Sequence, residues 1–535
     1  MKRFGVMLDM SRNAVMRPSE VKNFASVIKS FGYNMIQLYT EDTYEVEGEP
    51  YFGHLRGRYS SEELTDIVDY CESIGVEVIP CIQTLAHVNQ MFNWRRYQGI
   101  RDTADIMLCE EPATYELIEK MFQSLRKSFK SEYIHIGMDE AHMLGLGKYL
   151  DKHGYKNRFE ILSNHLQKVI DIASKYGFKP IMWSDMFFRL GNGGKYMCKD
   201  PKIAQEVIDI TPTEVGLVYW DYYSYDKELY DAMFAAHKLF KNEIWFAGGA
   251  WTWEGFAPGN KMTMDTMIPA MLAAKEQGIE NIFMTMWGDN GKECSFYSVL
   301  PSLFAIRKFY DGETDVEKIK SEFRAITGED FDAMFDLDIP NFVGGNKDSH
   351  RCVSKTMLYN DPLLGVFDSG IKDGAADEYI SHAKKLYEHA QSSQSYGYVF
   401  EMNAALCDVL AIKYDLGMRI RKAYKVGDKN ALAEIAEECS ELLGRLDVFY
   451  DKFSALWYRE NKPHGFEVQD QRIGGLILRI KACRKRILAY VSGDIDSLSE
   501  LESEVLDWFG NGAEYDNDTY PTVNNWSKIV SASVV

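Results

Sequence analysis

Between Phe4 and Trp287, eight short apolar runs are each followed by residues able to bind, ionise or stack. In chain order these are Arg12, Asp42, His87, the neighbours Asp139 and Glu140, Trp183 with Asp185, Trp220 with Asp221 and Tyr222, Trp251 with Trp253, and Trp287 with Asp289. Two adjacent carboxyl groups, crowded by aromatic walls and a histidine, are driven apart in proton affinity. One then stays a proton donor near neutral pH while the other stays ionised. Sequence neighbours do not flank a sugar from opposite faces at the roughly 5.5 or 6.5–9.5 Å of the two-carboxylate glycosidase schemes. A glycoside cleaved by this pair therefore takes its nucleophile from elsewhere. Six of the ten tryptophans lie between Trp183 and Trp287, five of them directly after the last four runs. Flat indole faces suit the C–H faces of a sugar ring and leave its hydroxyls to charged groups. A carbohydrate pocket is the leading inference.

The elements that must position these residues are legible in the same runs, which begin near Phe4, Asn34, Val76, Glu132, Lys179, Val215, Glu243 and Asn281. Each is short and almost continuously apolar, as parallel strands buried on both faces are. Gly32, Gly75 and Gly177 stand just before three of them, where a glycine closes a helix and returns the chain to the sheet. Eight such βα units over residues 1–310 predict a closed (β/α)8 TIM barrel, which gathers all the strand carboxyl ends around one mouth. No GxGxxG or GxxxxGK[ST] run points to an open nucleotide-binding sheet. Residues 311–535 change to long amphipathic segments at 376–391, 399–426, 429–459 and 470–491, predicting an α-helical C-terminal domain. In the last of these, Ile473, Leu476, Ile480, Cys483, Ile487 and Tyr490 recur at helical spacing.

The chain of 535 residues carries a formal net charge of -20. That balance disfavours nucleic acid and anionic membranes, whose binding draws on clustered Lys and Arg. No run approaches the length of a spanning helix, and Asp9 interrupts the first apolar run too early for a secretory signal core. Nine cysteines without a CxxC pair read as reduced thiols, which with the missing signal points to a cytoplasmic protein. The helical region makes a homodimer reasonable.

The motifs together resemble glycoside hydrolase family 20, the β-N-acetylhexosaminidases. HIGMDE at His135 to Glu140 is similar to the family's H-x-G-x-D-E signature. LDMSR, ending in Arg12, resembles the first-strand segment whose arginine holds hydroxyls of the terminal sugar, and LYTED ends in Asp42 at the place of a supporting aspartate. His87, after Ala86 where the family has glycine, and the indoles of Trp183, Trp220 and Trp287 fit the same pattern. The resemblance covers the barrel and implies a variant without the α+β domain that often precedes it. It implies exo-acting removal of terminal β-linked GlcNAc or GalNAc, with no cofactor and no metal. The substrate's acetamido oxygen would be the nucleophile, Asp139 its orienting partner and Glu140 the general acid/base. Asp42 and His135 would support the site from behind, with Asp42 and His87 forming a chain to Glu140. The seventh strand lacks the family's Tyr-x-Asp and carries AWTWEGF at Ala250 to Phe256 instead. The acetamide-binding group is therefore Tyr222, Tyr223 or an indole of Trp251 or Trp253, and the O4 and O6 ligand is Asp289 or Glu293.

Three other readings compete. A metal-dependent barrel hydrolase would use His87, His135, Asp139 and His142, although no H-x-H or H-E-x-x-H spacing is present. A non-catalytic sugar-binding barrel would need the indoles but not the acid pair. A glycosidase with an enzymic nucleophile would use Asp185 or Asp289.

Overall fold

The eight apolar runs form eight strands: β1 (Arg3–Asp9), β2 (Met35–Tyr39), β3 (Glu77–Cys81), β4 (Tyr133–His135), β5 (Lys179–Trp183), β6 (Gly216–Trp220), β7 (Ile244–Gly249) and β8 (Asn281–Met286). The computed structural model describes residues 2–348, 350–510, 520 and 523–533. Each strand pairs in parallel with the next in sequence, and β8 returns to β1, so the barrel closes as expected. At the seam Met7 of β1 lies opposite Gln37 of β2 and Thr285 of β8. Residues in β2 and β8 are buried along their whole length, which is why these strands read as continuous apolar runs and not as alternation.

Helices return the chain between strands. The helix Ser61–Ser73 opens on a capping box in which Ser60 and Glu63 satisfy each other's backbone amides. β4 is only three residues long because the chain turns sharply after His135, through left-handed Gly137 at φ +71°. A Cβ there would sit 2.0 Å from the Gln83 side-chain oxygen, so only glycine permits both the turn and the close approach.

The chain divides into two compact units. The first holds Met1–Ala250, Thr263–Trp287 and Leu303–Asp315, and the second Trp251–Met262, Gly288–Ser302 and Val316–Val535. The segments after β7 and β8 thus group with the helical region. That region contains the helices Ala375–Ser392, Gly397–Lys413, Leu416–Lys425, Lys429–Glu460 and Phe466–Ser492. The pattern read as one helix over 399–426 is broken at Tyr414 and Asp415. Its first half is buried on nearly every side, so it shows little amphipathic bias. All nine cysteines are free thiols and eight are buried. No described helix is long and apolar enough to cross a membrane.

Candidate active site

Asp139 and Glu140 lie on the turn that ends β4, and the turn is built by its neighbours. His135 is fully buried against Trp183, ring centroids 4.4 Å apart. Its Nδ1 accepts the Gly137 amide at 3.1 Å. Burial holds that imidazole neutral, its pKa pushed down to about 3. Gln83 then fixes the next two residues: its side-chain oxygen accepts the Met138 amide at 3.2 Å and its nitrogen donates to Asp139 Oδ1 at 2.8 Å. The same nitrogen donates to the Tyr39 hydroxyl at 3.1 Å.

The two acids come to rest in different surroundings. Asp139 is buried, whereas the Glu140 side chain is 42% exposed. His87 serves both, its Nε2 being 3.2 Å from Asp139 Oδ2 and 3.7 Å from Glu140 Oε2. Burial opposes charge on both His87 and Asp139, but their mutual attraction outweighs it. The imidazole is raised to about 9 and the carboxyl is held well below the usual aspartate range. At neutral pH the pair is therefore imidazolium and carboxylate.

Around the pair, several strand ends converge. Arg12 Nε donates to Glu41 Oε1 at 3.1 Å, and the Tyr39 hydroxyl donates to the same oxygen at 2.9 Å. The Arg12 guanidinium lies 5.6 Å from the Trp287 ring centroid. Trp287 meets Tyr39 edge-on at 4.8 Å and Trp183 at 6.2 Å. Tyr222 stacks on Trp220 at 5.4 Å, and its phenol has Trp287 and Thr285 as hydrogen-bond partners. Burial raises that phenol well above the usual tyrosine range, with the Asp139 charge adding to it. Arg12, His87, Asp139, Glu140, Trp183, Trp220, Tyr222 and Trp287 thus belong to one connected group.

Asp42 is placed differently from the expectation. Its Oδ1 takes Arg56 Nε at 3.2 Å, and its Oδ2 is buried without a hydrogen-bond partner. No hydrogen bond or ion pair joins it to His87 among the described residues. The acid beside Arg12 is Glu41. Gln37, Tyr39 and Glu41 step along the strand direction in twos, and that alternation, which Asp42 breaks, was the available signal.

A second residue is more deeply involved than the sequence indicated. Asp185, two residues past the end of β5's tryptophan-bearing run, is completely buried. Its Oδ2 accepts the Glu140 backbone amide at 3.2 Å and Arg189 Nε at 3.3 Å. Burial first, then the Asp139 charge, pushes its pKa up to about 7. Four non-glycine residues in this neighbourhood, Glu41, His87, Met138 and Glu140, have positive φ. Such backbone costs about 1–3 kcal/mol per residue and persists only where the surroundings impose it.

Trp251, Trp253, Asp289 and Glu293 belong to the second unit. Trp251 is buried, stacks on Trp253 at 4.3 Å and meets His350 edge-on at 4.9 Å. Asp289 follows β8 and lies near enough to Glu254 for its charge to help push that buried carboxyl up to about 8, burial being the larger cause. Glu293, expected as an alternative hydroxyl ligand, has both oxygens engaged instead. Lys355 Nζ is 2.9 Å from Oε1 and 3.1 Å from Oε2, and Arg472 is 3.0 Å from Oε1, in a triad where Glu293 and Lys355 are essentially inaccessible.

A closed barrel whose mouth sets adjacent carboxylic acids among indoles is the architecture of many carbohydrate-cleaving proteins. Two family models match: the glycosyl hydrolase family 20 catalytic domain over residues 4–221, and the glycoside hydrolase 20C C-terminal domain over residues 329–518. The chain belongs to glycoside hydrolase family 20. It is 23% identical over 209 residues to β-hexosaminidase 3 of Arabidopsis thaliana, covering 35% of this chain and 38% of that protein. It is 23% identical over 246 residues to hexosaminidase D of Bos taurus, covering 43% of this chain and 64% of that one. The chain thus spans less than two thirds of the length of these curated relatives. Among solved structures it is similar to the family 20 exo β-N-acetylglucosaminidase of Vibrio harveyi in complex with N-acetylglucosamine. That likeness has TM-score 0.46 and 15% identity, over 63% of this chain and 58% of that one.

Proposed function

We propose that the protein is an exo-acting β-N-acetylhexosaminidase that removes terminal β-linked GlcNAc or GalNAc by substrate-assisted, retaining hydrolysis. The observation that carries this reading is the division between the two acids: Asp139 is buried, ionised and pinned between Gln83 and His87, while Glu140 beside it opens to solvent.

In the first step the acetamido carbonyl oxygen of the bound sugar attacks C1 and the bond from C1 to the leaving oxygen breaks. The tethered amide acts at a high effective concentration. Glu140 gives its proton to the departing oxygen. Asp139 accepts a hydrogen bond from the acetamide N–H and offsets the positive charge that develops on it. In the second step water attacks C1, the bond from C1 to the acetamide oxygen breaks, and Glu140 takes the proton from the water. Two inversions leave the configuration retained. Arg12 and the indoles of Trp183 and Trp287 hold and wall the terminal sugar, and the Tyr222 phenol is the group proposed to meet the acetamide oxygen. A cytoplasmic location and a homodimer complete the reading; fractionation and sedimentation test them.

A second reading rests on the same trio, because ligand atoms of His87, Asp139 and Glu140 lie within 4.8 Å of one another. A metal bound there would have to displace the proton that the charge of Asp139 favours on His87. Full activity after chelation would exclude the metal. The deciding comparison uses 4-nitrophenyl β-glycosides carrying a 2-acetamido or a 2-hydroxy group. Only the acetamido substrate is hydrolysed on our reading, and equal rates would remove it. Activity abolished by Glu140→Gln separates an enzyme from a sugar-binding barrel.

A further inference from the structure

An aromatic cluster on the barrel's mouth side plays no part in the chemistry above. It is formed by Tyr51 and His54, on the loop after β2, and Trp94, on the loop after β3. The Tyr51 and Trp94 rings are 5.3 Å apart, His54 and Trp94 5.2 Å, and Tyr51 and His54 6.4 Å. Tyr51 is 45% exposed, and the neighbouring Leu55 is 69% exposed. Tyr51 and Leu55 thus leave apolar surface open to solvent beside the cluster.

The two loops that carry the cluster are tied to each other. Glu49, two residues before Tyr51, is buried and receives both arms of the Arg96 guanidinium, at 2.6 and 2.9 Å. Tyr97 and Lys120 donate to the same carboxylate at 3.2 and 2.7 Å. Arg96 lies two residues after Trp94, so this clamp ties one loop to the other close to the rings in sequence. A bidentate pair fixes geometry as well as adding energy. The turn carrying Tyr51 and His54 is also fastened to the chain just after β2. Arg56 holds the Asp42 carboxylate, and a Cβ on Gly53 would meet the Asp42 carbonyl oxygen at 1.9 Å. Phe52 and Met91, flanking the rings in sequence, line a small cavity together with Glu41, Gln83 and His87. Asn93, next to Trp94 in sequence, donates its side-chain amide to Gln90 at 3.2 Å.

We propose that Tyr51, His54 and Trp94 form a carbohydrate subsite that stacks a sugar ring on the leaving-group side of the scissile bond. The inference rests on the exo-hexosaminidase reading: an exo enzyme takes only the terminal sugar into its pocket, so the rest of the chain must leave along the mouth. Aromatic rings fit the C–H faces of pyranoses, and rings already packed on one another lose little freedom on binding. The ligand is therefore an oligosaccharide of at least two residues with a terminal β-linked N-acetylhexosamine.

The test compares wild type with Trp94→Ala, Trp94→Phe and Tyr51→Ala. kcat/KM is measured on 4-nitrophenyl β-GlcNAc and on a panel of di- to tetrasaccharides ending in β-GlcNAc or β-GalNAc. The proposal expects the ratio of oligosaccharide to aryl-glycoside kcat/KM to fall about tenfold in Trp94→Ala and less in Trp94→Phe, which keeps a ring. An unchanged ratio in both alanine variants would overturn it. So would a wild-type enzyme that cleaves the aryl glycoside and none of the panel, a result that leaves the exo-hexosaminidase reading intact. Absence of aryl-glycoside cleavage would instead sink that reading and this proposal with it.

Discussion

The backbone amide of Glu140 donates to the carboxylate of Asp185 at 3.2 Å, so the residue read as the proton carrier has its left-handed backbone tied to an acid that follows β5. Asp185 touches no reacting atom on this account; it is a positioning residue. Its own charge is costly, because it is buried beside the ionised Asp139.

A stability prediction follows from that cost. The folded-state pKa of Asp185 is raised to about 7 from an ordinary 3.8, so between these values the native state binds more protons than the unfolded one. Stability contributed by this group is thus lost as pH rises from about 4 to 7. Asp185→Asn removes the dependence. Its Tm relative to wild type should become steadily more favourable over that window and level off above it, as differential scanning calorimetry would show. In the same variant kcat/KM should fall about 10–100-fold through misplacement of Glu140. A constant Tm difference from pH 4 to 8 would contradict the assignment.

His87 has the opposite sign. Its pKa is raised from 6.5 to about 9, because the Asp139 carboxylate overcomes the opposing effect of burial. The stability it contributes is complete below about 6.5 and is lost as pH rises through 9. His87→Gln should therefore melt several degrees below wild type at pH 6, with the gap closing by pH 9.5. A gap that widens with pH would refute the ion pair.

In the helical unit, Lys355→Met should destabilise strongly, by about 3–5 kcal/mol, since it strands the inaccessible Glu293 carboxylate with only Arg472 as a charged partner. Chemical denaturation measures this. Lys355→Met combined with Glu293→Leu should recover much of the loss, because apolar replacement of a buried pair is often nearly neutral. If the double variant is the less stable of the two, these charges do more than fill space.

The barrel was legible because its strands are buried on both faces, and burial writes itself as apolar runs at every one of the eight positions. The acid pair was legible for a different reason: Asp139 and Glu140 are adjacent in sequence, so no tertiary information is needed to bring them together. Gln83, Glu41 and Asp185 were harder. Each acts through a hydrogen bond to a residue on another strand, and nothing in a single sequence records that crossing. Their one local sign is phase, since Cys81 and Gln83, Tyr39 and Glu41, and Trp183 and Asp185 are spaced by two. Glu293 misled for the converse reason. An acid after the last strand resembles a sugar ligand until Lys355 and Arg472, many residues later, are seen to neutralise it.

The most direct measurement of the division of labour between Asp139 and Glu140 is binding of an N-acetylglucosamine-thiazoline, which mimics the cyclised acetamide. Titration calorimetry on wild type, Asp139→Asn and Glu140→Gln separates the two roles. We expect wild type to bind the thiazoline at least about 100-fold more tightly than N-acetylglucosamine. Asp139→Asn should lose most of that advantage. Glu140→Gln should keep it while losing kcat by about 100–10,000-fold on the aryl glycoside. Equal weakening in both variants, or a thiazoline that binds wild type no better than the sugar, would contradict the account.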